Sequence, residues 1–311
     1  MSVQSIVDFI ESKKDVDILC MNEVGSRAFN LHSDESDHDV YVVFRQPLEE
    51  YAQLDTYKQN IREDNLENDW EIQGWNIKRF AELMYKSNPT TMEYITSPLR
   101  HYTKNDEFES LIRDFQNYAV ENVNPIGLYY HYQSLAKDNY EKYIQDGWEM
   151  NKEEIAKSSM GDYLGTMEHD PVLHEVNGEI ELSFGRAGTY SIEEAYNRNF
   201  VRKTTTERTV KRNLFGIRGI CCAKWVKHNK TIPPIDFELL LEKETYLDEN
   251  VKNQINKLIS KKRNNNNENV GVILPEFVES ELGTELDNDE YNKGKLDKER
   301  VNKFIKSSLQ I

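Results

Sequence analysis

The chain has 311 residues, enough for one large domain or two ordinary ones with a sizeable buried core. Its 39 basic and 55 acidic side chains leave a formal net charge of −16, which excludes broad non-specific binding to nucleic acid but leaves room for a local basic groove. Three cysteines, Cys20, Cys221 and Cys222, are too few and too badly spaced for a disulfide frame or a zinc site. No apolar run reaches membrane-spanning length, and the first residues lack a basic region followed by an apolar stretch. The expectation is a cytoplasmic protein with no membrane role and with reduced, buried thiols.

Val3 to Lys13 has apolar residues at helical spacing, at Val3, Ile6, Val7 and Ile10. The apolar run Val16 to Val24 predicts a strand that leads into a tight turn at Gly25-Ser26. Ten residues later Asp37-His38-Asp39 opens a second apolar strand, Val40 to Phe44. Side chains alternate across a strand, so Asp37 and Asp39 point the same way. Two such carboxylates repel each other unless a cation sits between them, and their hard oxygens suit Mg2+. Gly25 permits close backbone approach to a phosphate, and Ser26 can donate a hydrogen bond to it. The plainer reading is a Ser/Asp-rich loop whose carboxylates only cap turns.

Gln46 to Asn68 is polar and acidic and is read as a helix or loop. Asp69 to Ile77 alternates as a strand, with Glu71 facing away from Trp70 and Ile72. Amphipathic helices follow around Phe80 to Met84 and Met92 to Ile95, separated by Asn88-Pro89 and ended by Ser97-Pro98. Helices are predicted at Phe108 to Val120 and Pro125 to Gly147. The second is rich in tyrosine, and His131 with its tyrosine neighbours is either core packing or a wall for a nucleobase. Val172 to Val176 beside Glu179 to Phe184 suggests a small hairpin, and Gly185 to Gly188 is a weak candidate phosphate loop. Arg198 to Lys230 is strongly basic. Thr204 and Glu207 form a capping-box pattern for a helix running to about Lys227. On it Lys211, Leu214, Phe215 and Arg218 share one face, which is either a solvated surface or a contact to triphosphate or RNA. Asn264 to Asn267 reads as a linker or long loop, and the acidic run Glu285 to Glu290 as mobile.

The string G-S-R-A-F-N-L-H-S-D-E-S-D-H-D-V resembles the signature of the DNA polymerase beta-type nucleotidyltransferases, and most closely their RlaP branch, whose members are linked with RNA repair. N-P-T-T-M-E-Y-I-T-S-P-L and K-R-N-L-F-G-I-R resemble further strings of that family. The resemblance implies an α/β (α+β) fold. A nucleotidyltransferase core with a small mixed sheet would occupy residues 1–100. A mostly helical domain would occupy 101–245, with a β insertion near 165–190, followed by a charged extension at 246–311. It implies a third carboxylate beside the Asp pair. Glu71 stands where the family has Asp, with Asp69 as the alternative. Asp37, Asp39 and Glu71 would then hold Mg2+ (or Mn2+), and Gly25, Ser26, Arg27, Lys211 and Arg218 would hold the phosphates of an NTP. The acceptor would be a hydroxyl, with an RNA end favoured by the family link and a protein or small molecule left open. Two other readings remain: a silent nucleotide- or RNA-binding module, for which the Glu in place of Asp leaves room, and a phosphodiesterase or nuclease, which has no need of the Gly-Ser turn.

Overall fold

The computed structural model describes residues 2–54, 57–66, 70–145, 147–158, 171–176, 179–184, 188–204, 207–286 and 296–311. They divide into two compact units: residues 1–139 with 208–311, and residues 140–207.

The first unit is built on a mixed five-stranded sheet in the order β3-β4-β2-β1-β5. Its strands are β1 (Asp17–Glu23), β2 (His38–Arg45), β3 (Asn60–Leu66), β4 (Trp70–Asn76) and β5 (Arg100–Thr103). β2 and β4 run parallel and the other neighbours antiparallel. Helix α1 (Val3–Lys14) begins at Ser2, whose hydroxyl accepts from the Ser5 N–H, and ends with Lys13 and Lys14 in its last turn, favourable to the helix dipole. Ile6, Val7 and Ile10 are buried against Ile18, Val40, Val42, Phe44 and Ile72. Each such side chain contributes roughly 1.5–3 kcal/mol of transfer free energy.

The predicted helix or loop at residues 46–68 is corrected to a short 3-10 turn (Leu48–Ala52) followed by the edge strand β3. On that strand Ile61 enters the core, and Glu63 pairs with Lys13 and Lys14. A charged edge strand guards the sheet against further pairing, and that hides it from a hydrophobic pattern.

Around Tyr94, aromatic rings meet in series. Trp75 and Phe80 each approach it edge-on at 5.6 Å, and Phe304 of the last helix (Lys298–Leu309) stacks on Phe115 at 4.0 Å. The C-terminal helix is thus part of the core, and Phe304→Ala should cost about 3–5 kcal/mol, read as a lower urea midpoint at unchanged m-value.

The second unit pairs the predicted hairpin, Val172–Val176 with Glu179–Ser183, and adds a third strand, Thr189–Ser191. Phe184, Tyr190 and Phe200 pack edge to face beneath it. Residues 185–187 of the candidate phosphate loop lie outside the described residues. Thr204 is not a helix cap. It is strand-paired to Gly147, and the basic helix starts at Val210 with Thr209 as its N-cap and runs to Asn229. The pairing needs the extended backbone that a Thr-x-x-Glu pattern cannot report.

Candidate active site

The end of β1 is held from two sides. The Glu23 N–H donates to the Leu99 carbonyl at 2.8 Å, the Ser97 hydroxyl donates to the Glu23 carbonyl at 2.6 Å, and the Val24 N–H donates to the Asp39 carbonyl at 2.8 Å. Deeper in, Asn22 Nδ2 donates to the Tyr94 carbonyl, and Tyr94 Oη lies 2.9 Å from Cys20 Sγ. The N-P-T-T-M-E-Y-I-T-S-P-L string is therefore the brace behind β1. Asn88 caps its helix and Pro89 occupies the first turn, where a missing N–H costs nothing.

Gly25 follows β1 at φ +67°, opening the four-residue helix Gly25–Ala28 in place of the expected simple turn. A Cβ on Gly25 would lie 2.2 Å from Asp39 Oδ2. The glycine is required twice, by its left-handed backbone and by the carboxylate pressed against it.

Asp39 on β2 is the register partner of Glu71 on β4. Directly paired residues of neighbouring strands share a sheet face, so both carboxylates leave the same side. Asp37 precedes β2 and is exposed. Burial pushes the Asp39 carboxyl up from the ordinary aspartate range. The Asp37 charge pushes it further, the Lys211 ammonium pulls it back, and Glu71 and Glu23 add smaller upward pushes.

This all-oxygen, net-negative cluster fits a hard divalent cation. Among the described residues no three Asp, Glu, His or Cys side chains close into a metal cage. Mg2+ needs no such cage, because it is commonly held by one or two carboxylates together with substrate phosphates and water.

A carboxyl whose folded pKa is raised binds its proton more tightly when folded. Its penalty is absent below the unfolded value and is fully present above the folded one. Asp39→Asn should therefore melt at a higher temperature than wild type at pH 7. Millimolar Mg2+ with NTP should raise the wild-type midpoint and leave that of the variant unmoved.

The other expected phosphate ligands are placed as follows. Ser26 is buried at the start of the short helix. The Arg27 guanidinium donates to the Ser36 carbonyl at 2.7 Å, with its Nε 3.3 Å from the Asp37 carbonyl and 3.4 Å from Glu23 Oε1. Arg27 thus fixes the loop that presents Asp37. Lys211 is exposed, and its charge reaches Asp39. Arg218 is turned into the core. It is 5% exposed, donates to Glu93 Oε1 at 2.7 Å and lies 3.5 Å over the Phe29 ring. Asp69 lies outside the described residues. Of the tyrosine-rich helix, Tyr129 and Tyr132 are core residues, hydrogen-bonded to Thr284 and Glu93.

Two features escape the sequence reading. The first is Glu23, which accepts from His38 Nδ1 at 2.9 Å and from His101 Nε2 at 2.8 Å, with Trp70 stacked on His38. Burial alone would lift the Glu23 carboxyl, but the His101 hydrogen bond and the neighbouring histidine charges outweigh it and hold the group below its usual range. His38, between the two aspartates, is thereby anchored to the opposite face. The second is the segment after the helix Glu249–Arg263. Asn265 Oδ1 accepts from the Ser33 hydroxyl at 3.2 Å, Asn267 Oδ1 accepts from the Lys211 N–H at 2.8 Å, and Arg263 donates to the Asn30 carbonyl. The four-asparagine loop is pinned to the loop that carries Asp37. An acid just before V-G-S was a visible signal for Glu23, whereas nothing in the lysine-rich composition of residues 249–263 marks which side chain turns inward.

The mixed sheet, with Gly25 turned under Asp39 at the entry to β2, is the arrangement that the resemblance to polymerase beta-type nucleotidyltransferases implied. The chain belongs to the RlaP family, described as the RNA repair pathway DNA polymerase beta family, whose model matches residues 2–307. It is similar to YcgL of Bacillus subtilis (strain 168), with 22% identity over 276 residues that cover 88% of this chain and 81% of the relative. The crystal structure of a nucleotidyltransferase-like protein from Exiguobacterium sibiricum 255-15 aligns over 99% of this chain and 75% of its own, at 9% identity and a TM-score of 0.29. Among the described residues no helix is long and apolar enough to cross a membrane.

Proposed function

We propose that this protein is a Mg2+-dependent nucleotidyltransferase that moves NMP from an NTP to a hydroxyl, with an RNA end as the acceptor. The observation that carries this reading is the Asp39 carboxylate pressed against Gly25, with Asp37 and the register partner Glu71 around it. Asp37 and Asp39 would hold the nucleotide-bound cation, and Glu71 with Asp39 the cation on the acceptor side. When bound, the cations stabilise the attacking and leaving oxygens of the in-line displacement. Gly25 lets the backbone approach the polyphosphate. Arg27 keeps Asp37 in place through the Ser36 and Asp37 carbonyls, and Lys211 offsets charge as it builds on the departing pyrophosphate. The RNA end as acceptor rests on the family's description.

The test is incubation with each alpha-labelled NTP and Mg2+ or Mn2+, with total RNA, tRNA or a cell extract as acceptor. Wild type should transfer label and Asp37→Ala/Asp39→Ala should not, and the labelled species identifies the acceptor. A second reading, a silent binding module, is favoured by Glu71, whose extra methylene shifts the third carboxylate relative to the Asp its family carries. NTP binding without transfer to any acceptor would select it.

A further inference from the structure

The helix Glu249–Arg263 ends by sending Lys262 inward. This lysine is 8% exposed, and among the described residues its ammonium has one hydrogen bond, a long one of 3.5 Å to Ser36 Oγ. Ser36 immediately precedes Asp37, and its carbonyl is the one held by Arg27. No carboxylate lies within ion-pair distance of Lys262 among the described residues, although its neighbours Lys261 and Arg263 are paired, with Glu268 and Glu238. The charged group facing it from the basic helix is Lys211, a second cation, and from the loop before β2 it is Asp37. Burial and the repulsion of Lys211 both work against its charge, so Lys262 stands as a desolvated ammonium with too little to balance it. Buried ammonium groups persist when a counter-charge is supplied, and the Asn265 N–H, donating to the Lys262 carbonyl at 3.1 Å, ties this residue's backbone to the asparagine loop that pins Lys211 and Ser33.

We propose that Lys262 and Lys211 form a two-lysine anion site for the terminal phosphates of the nucleotide, and that Lys262 is the residue that makes the site prefer a triphosphate to a monophosphate. This inference rests on the nucleotidyltransferase reading for its choice of anion, but the anion site can be tested without any transfer reaction. A polyphosphate oxygen at Lys262 completes the hydrogen bonding of the ammonium and screens it from Lys211. The cation expected at Arg218 is thereby supplied from the C-terminal part of the chain.

The experiment is calorimetric titration of the full chain with inorganic tripolyphosphate, and separately with NTP and NMP in Mg2+, for wild type, Lys262→Met and Lys262→Arg. Thermal melts of the three proteins without ligand accompany it. Loss of one charge-assisted hydrogen bond should weaken tripolyphosphate and NTP binding about 10- to 100-fold in Lys262→Met, leave NMP binding within about twofold, and be largely restored in Lys262→Arg. The apo melting temperature of Lys262→Met should equal or exceed that of wild type, because an unbalanced buried charge has been removed. Equal NTP and tripolyphosphate binding by wild type and Lys262→Met would overturn the proposal and leave the nucleotide reading standing. A variant that melts lower yet binds as wild type would show that Lys262 merely packs the helix end, and would also overturn it. Lys262-dependent tripolyphosphate binding in a protein that transfers no label would uphold the anion site and sink the transferase reading. Absence of binding of either ligand by wild type would sink both.

Discussion

Gly25→Ala should lower metal-dependent label transfer by on the order of 100-fold or more while leaving the protein folded. The added Cβ would sit 2.2 Å from Asp39 Oδ2 and 2.9 Å from Asp39 Cγ, inside any real contact distance. The left-handed backbone at φ +67° adds about 1–2 kcal/mol of strain for a residue that has a side chain. Relief of the clash requires the carboxylate to move by roughly 1 Å, and a misplacement of that size at a reacting centre costs about 100-fold. Gly216→Ala is the control. Its Cβ meets nothing closer than Asn139 at 3.9 Å, and alanine is the better helix former by about 1 kcal/mol, so transfer should hold and the melting point should not fall. Wild-type transfer by Gly25→Ala would mean that Asp39 is not the group holding the nucleotide's cation.

Arg218→Ala should destabilise the first unit by about 3–5 kcal/mol, because it leaves the largely buried Glu93 carboxylate without its cation. Glu93 also accepts from Tyr132 Oη at 3.2 Å, so the loss extends to a second buried partner. At roughly 2–4 °C per kcal/mol for a unit of this size, the melting midpoint should fall by about 6–20 °C. Among the described residues Arg218 Nε is itself buried without a hydrogen-bond partner, so the pair is not ideally satisfied. Arg218→Met with Glu93→Leu should then recover most of the loss, since an apolar pair removes both desolvation penalties. If Arg218 instead held triphosphate, Arg218→Ala would raise KM for NTP with little change in melting point. Melting curves and NTP titrations on the same samples separate the two outcomes.

The ion pair joins two strings that lie far apart in the chain. Glu93 lies in N-P-T-T-M-E-Y-I-T-S-P-L and Arg218 in K-R-N-L-F-G-I-R, and they meet beside Phe29, which follows the Gly-Ser turn. Shared placement of Lys211, Leu214, Phe215 and Arg218 on one helix face was legible from spacing. Which member of that face meets solvent was not, because spacing fixes a direction around the helix axis and not what waits there. Lys211, at the start of the helix, is exposed and its charge reaches Asp39, while Arg218, two turns deeper, enters the core over Phe29.

Local features were determined by the sequence alone: β1 and β2 from their short apolar runs, β4 from its alternation, α1 from its i, i+3 and i+4 pattern, and the paired strands at 172–176 and 179–183. Gly25, Asp37 and Asp39 were legible as candidates because they lie within one short stretch of chain, whereas Glu71 was singled out over Asp69 only by the family resemblance, and its place as register partner of Asp39 comes from the sheet. Tertiary structure decided what depends on groups far apart in sequence. It paired Arg218 with Glu93, gathered His38 and His101 onto Glu23, and turned Lys262 toward Ser36 from more than two hundred residues away. The physical reason is that periodicity records which side of an element avoids water, whereas the partner of a buried charge is set by how the elements pack.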